Sequence, residues 1–125
     1  MGLDMYIMKT AKSNSLPLST DSDVAYWRKF NALHGWFVDN VQIGIDNCDA
    51  YELTHDHLDD LNAVLNEVIR TKNPSLLAPR SGFFFGSSEA DEYYWEKVNE
   101  TSQMIKDLII QTDWNEYKLF YQSCW

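Results

Sequence analysis

The sequence predicts an α+β fold: a small sheet formed by the N- and C-terminal strands, with three helices packed on it. Three observations lead there. Both ends of the chain alternate apolar and polar residues with period two, as half-buried strands do. Three interior segments carry apolar residues at helical spacing behind a capping residue. No internal repeat or low-complexity segment interrupts them, and 125 residues fit one domain, spanning 1–125, with a real core.

The elements follow in order. Leu3, Met5 and Ile7 alternate with Asp4, Tyr6 and Met8, giving a first strand, and Lys9 to Thr20, with Pro17, reads as a loop. Asp21, Ser22 or Asp23 can cap a first helix running to about Val41. Tyr51-Glu52-Leu53 reads as a short strand. Thr54 then caps a second helix that ends near Arg70–Lys72, before Asn73-Pro74. Ser88-x-x-Asp91 matches a capping box opening a third helix from Glu89 to about Gln111. Glu116 to Gln122 alternates again as a final strand.

Helical projection sorts the side chains. On the first helix Val24, Tyr26, Trp27, Phe30, Phe37, Val38 and Val41 share one broad arc. His34 falls in its middle and Asn31 near its edge, so both need hydrogen-bond partners in the fold or in a ligand. Trp36 projects to the opposite face and is expected to be partly exposed as a partner contact, because Trp is enriched in interface hot spots. The second helix has an ordinary apolar arc of Leu58, Leu61, Val64, Leu65, Val68 and Ile69. His55-Asp56-His57 is no joint metal site on a helix, since residues two apart diverge by about 160°. The third helix buries Tyr94, Trp95, Val98, Ile105, Leu108 and Ile109.

Four aromatic-rich blocks carry their own polar residues: 26–37, 81–87, 91–95 and 121–125. They can build a core, a pocket or a recognition surface. Arg28, Asn31, His34, Phe84, Tyr94, Tyr121, Gln122 and Trp125 are the candidates for a shared ligand pocket. Rings would supply apolar walls, and amides and imidazole a few directed hydrogen bonds.

These blocks, with the opening Met1-Gly2-Leu3-Asp4-Met5-Tyr6, resemble a family of small proteins of tailed bacteriophages and prophages that has no established activity. The resemblance runs along the whole chain and is weakest near 9–22 and 70–79. It implies a phage origin and a bacterial cytoplasm, and no mechanism. One departure is Ser123-Cys124-Trp125, where the family pattern ends in Ser-Ser-Trp.

Charge narrows the function classes. The net charge is −9, which opposes direct nucleic-acid binding. No Lys or Arg occurs between Phe30 and Ile69, where eight carboxylates fall, Asp56, Asp59 and Asp60 among them. Such a surface either solubilises the chain or contacts a basic groove on a host protein. No stretch approaches the roughly 20 apolar residues of a membrane span, and the N-terminus lacks a signal-peptide pattern. Cys48 and Cys124 form no Cys-x-x-Cys pair and are expected to be reduced thiols in the cytosol. No hydrolase, zinc-protease or phosphate-loop motif occurs, so neither a cofactor nor a metal is expected. The sequence favours a non-enzymatic accessory protein that modulates a host protein through an acidic, aromatic surface. A protein sequestering a nucleotide-like small molecule is the alternative, a small enzyme using His34 or Cys48 the third reading, and self-association is left open.

Overall fold

In the computed structural model, residues 2–18, 21–80 and 89–125 are described. The elements are β1 (Asp4–Ala11), β2 (Asp23–Arg28), α1 (Asn31–Asn40), β3 (Tyr51–Leu53), α2 (His55–Thr71), α3 (Glu92–Gln111) and β4 (Tyr117–Cys124), with a 3-10 turn at Pro74–Leu77 between α2 and α3. The strands form one antiparallel sheet in the order β2-β1-β4-β3. The two terminal strands pair along eight residues, from Asp4 opposite Cys124 to Ala11 opposite Tyr117. An α+β fold results, as the sequence predicts.

One face of the sheet carries Met5, Ile7, Ala25, Trp27, Leu53, Leu119 and Tyr121, all in the core with Leu33, Phe37, Leu58, Leu61, Leu65, Val98 and Ile105 from the helices. Tyr6, Tyr26 and Gln122 alternate onto the other face. The helix α2 begins as expected: Thr54 Oγ accepts from His57 N, and His57 Nδ1 accepts from Thr54 N in return. An imidazole thus takes the place Glu or Gln fills in the usual capping box.

Three boundaries differ from the sequence reading. The expected first helix is split: Asp23–Arg28 is a strand, and the helix begins only at Asn31. Val24 to Arg28 also alternates, with Ala25 and Trp27 buried and Tyr26 and Arg28 exposed. Pairing with β1 satisfies that period, and Lys29, at φ +57°, turns the chain out of it. The first strand continues to Ala11, beyond Met8, because it lies between two partners. The third helix starts at Glu92 with Asp91 as its cap, its side chain accepting from Tyr94 N; Ser88 lies outside the described residues.

Candidate functional site

The polar centre of the core is His34 of α1. Its Nδ1 lies 2.7 Å from the Tyr121 hydroxyl of β4, and its Nε2 lies 2.8 Å from Asp46 Oδ1 in the segment between α1 and β3. An ionised carboxylate only accepts, so Nε2 carries the proton, Nδ1 accepts, and Tyr121 donates. Burial, opposed by the Asp46 carboxylate, holds the His34 pKa below its ordinary value. Burial first, then the charge of Asp46, pushes Tyr121 well above the usual phenol range. His34 is thus neutral at pH 7 and Tyr121 keeps its proton. Tyr121 is fully buried and stacks on Phe37 at 3.9 Å. The trio ties a helix, a strand and a loop together, with the Tyr121 hydroxyl fully buried among them.

Of the seven described candidate pocket residues, His34 and Tyr121 meet directly and Asn31 and Tyr94 line one small space, but the seven do not share a single one. The buried Asn31 accepts from Arg80 N at 2.8 Å. Arg80 also pairs with Asp39 and crosses Gly35 so closely that a Cβ there would sit 2.2 Å from its Nε. A side chain at position 35 would have to displace the guanidinium, the end of a half-exposed side chain. Tyr94 is buried, donates to Leu77 O at 2.7 Å and packs edge-on against Phe30. Burial raises its pKa to about 12. Gln122 alternates onto the opposite sheet face and donates to Cys48 O. Arg28 is exposed at the end of β2, its carbonyl accepting from the Tyr93 hydroxyl. Trp125 is 39% exposed at the C-terminus, and Phe84 lies outside the described residues. The space beside Asn31 holds only about 20 Å³, room for one water. The expected shared pocket is not formed among the described residues.

Trp36 requires correction as well. It is 7% exposed, with its ring edge-on to Phe37 at 5.5 Å. Every residue from Asn31 to Val38 is buried, so α1 has no solvent face in this stretch. A helix apolar nearly all round is a core helix, and one-sided projection fails on it.

The expected acidic contacts Asp56, Asp59 and Asp60 are all exposed on the first turns of α2. His55 and His57 part, as their spacing requires: His57 serves the cap, while His55 Nδ1 pairs with Asp59 at 3.1 Å. Ligand atoms of His55, Asp56 and Asp59 lie within 4.8 Å of one another, so this exposed group is where a metal ion could be held among the described residues. The helical i, i+4 spacing of His55 and Asp59 was the available signal for it.

Sequence reading missed the turn after α1. Ile43 is 86% exposed and Ile45 56% exposed. Ile43 takes φ +55° and Gly44 φ +78°. Beneath them Gln42 is fully buried, donates Nε2 to Ile45 O at 2.7 Å and leaves Oε1 without a partner. The Gly44 in Ile43-Gly44-Ile45 was the only hint of a turn here. Comparison with family models, with curated proteins and with solved structures finds no match to this chain.

Proposed function

We propose that this chain is a phage-encoded, non-enzymatic accessory protein that binds and modulates a host protein in the bacterial cytoplasm, docking through the turn after α1. The observation that carries the reading is Ile43. A β-branched residue in left-handed backbone is a genuine outlier, costing roughly 1–2 kcal/mol. Lys72, also left-handed, is explained as the C-cap of α2. Ile43 is a central residue of the turn closed by Ile45 N donating to Gln42 O at 3.1 Å, a position where Gly, Asn or Asp is usual, and at 86% exposure its side chain recovers almost nothing by burial. Strain of this kind concentrates at functional positions. A partner that encloses Ile43 and Ile45 would supply what the fold withholds.

Charge defines the partner further. Asp46 and Asp49, both exposed, follow the two isoleucines in sequence, and the chain carries −9 overall. An apolar socket with a basic rim fits this surface, and the carboxylates of α2 add long-range attraction. The non-enzymatic half is supported by the burial of the His34 ring and the Tyr121 hydroxyl within the fold. The test compares the tagged chain with an Ile43→Ser/Ile45→Ser variant in phage-infected cells. One host protein should be enriched with the native chain and lost with the variant, with retention weakening as salt rises. Identical capture by both would refute docking through this turn.

A further inference from the structure

The three residues of β3 pair only with Leu119–Tyr121, although β4 spans eight. Among the described residues, Tyr117 and Lys118 therefore have no strand beside them on that side. A cleft of about 280 Å³ opens there, between the end of β1, the start of β4 and the start of α2.

Its walls combine aromatic rings with ammonium groups. Trp114 lies on one side, its Nε1 donating to Ile109 O and its ring edge-on to His55 at 5.3 Å. Tyr117 lies on another, 40% exposed, with Lys9 Nζ 4.6 Å from its ring centre. Lys12 Nζ donates to Trp114 O at 3.2 Å. The Lys118 side chain is only 18% exposed, and its Nζ stands 3.8 Å from Glu52 Oε1, outside hydrogen-bond range. Three of the ten Lys and Arg residues thus gather at one corner of a chain of net charge −9.

We propose that this cleft binds a small anion bearing a flat ring, of the nucleoside-monophosphate class. The two ammonium groups of Lys12 and Lys118 take the phosphate as point charges, and the indole and phenol supply stacking surfaces for the base. Size decides the class: 280 Å³ is at the small end of ligand sites, so one nucleotide fits and a dinucleotide does not. Three carboxylates oppose the anion: Asp56 and Asp59, both beside His55, and Glu52. Asp59 is already paired with His55, and Glu52, with its side chain 52% exposed, can turn to water when phosphate replaces it on Lys118.

AMP titrated into the full chain, followed by amide NMR, tests the assignment. Shifts should centre on Lys12, His55, Tyr117 and Lys118 and saturate in the sub-millimolar range. Lys12→Gln and Lys118→Gln should each weaken binding about tenfold, with spectra otherwise those of the folded chain. Lys118→Arg should retain it, and serves if Lys118→Gln disturbs the fold. Adenosine and inorganic phosphate should each bind at least about tenfold more weakly than AMP. No saturable shift up to about 10 mM AMP, shifts elsewhere only, or equal binding of phosphate alone would overturn the proposal.

Discussion

Replacing Tyr121 with Phe removes one oxygen from the fully buried centre of the fold and leaves the ring. The stacking on Phe37 at 3.9 Å survives, and no space larger than a hydroxyl opens. What is lost is the donor to His34 Nδ1 at 2.7 Å, on a ring only 2% exposed. Losing that buried donor costs about 1–3 kcal/mol, a large share of the roughly 5–15 kcal/mol typical of a whole domain. Urea denaturation followed by tryptophan fluorescence should show that loss as a lower midpoint with an unchanged slope. The double variant His34→Leu/Tyr121→Phe removes both partners, and its loss should be smaller than the sum of the two single losses by about 1 kcal/mol or more. A Tyr121→Phe loss below about 0.5 kcal/mol, or strict additivity, would refute the bridge as a source of stability.

Further outcomes follow from the same groups. The folded pKa of His34 lies below its unfolded value of about 6.5, so the unfolded chain binds more protons in mild acid. Stability should be complete above that value and fall as pH drops from it toward the lowered folded pKa; a flat profile there, corrected for the carboxylates, contradicts the buried neutral imidazole. Tyr121 and Tyr94 have raised pKa values, so stability should fall again as pH climbs past about 10, and Tyr121→Phe should lessen that slope. Trp36→Ala should cost about 3–5 kcal/mol, measured by denaturation, whereas a surface tryptophan would cost almost nothing. Serine at both Cys48 and Cys124, which are free thiols and partly or fully exposed, should leave the melting temperature within a few degrees; thiol labelling that appears only after reduction would contradict this.

Fold class and the C-terminal two-thirds of the element order were legible because their signals are local. Thr54 caps one helix and Asp91 another, and Leu3, Met5 and Ile7 alternate with their neighbours as a half-buried strand does. The segment 23–41 was not legible. Tyr26, Trp27 and Phe30 fit a helical arc as well as a strand, and the choice was made by pairing with β1, which is tertiary. That error carried into the site. A helix projected from residue 23 gave Trp36 a solvent face it does not have, while the true α1 is buried from Asn31 to Val38. His34 needed a partner, as its polar group in an apolar arc required. That the partners are Tyr121 and Asp46 depends on contacts spanning 87 and 12 residues, which no local pattern encodes. The exposed isoleucines of the turn were invisible for a simpler reason: nothing in Ile43-Gly44-Ile45 distinguishes exposed apolar residues from core ones.

The most direct test of docking through this turn is a single substitution, Ile43→Gly, read in two ways on purified protein. Glycine accepts φ +55° without strain, so the chain should become more stable by up to about 1 kcal/mol in urea. Affinity for the captured host protein, measured by calorimetry, should fall at least about tenfold. A gain in stability together with a loss of binding is the predicted result; unchanged affinity would contradict it.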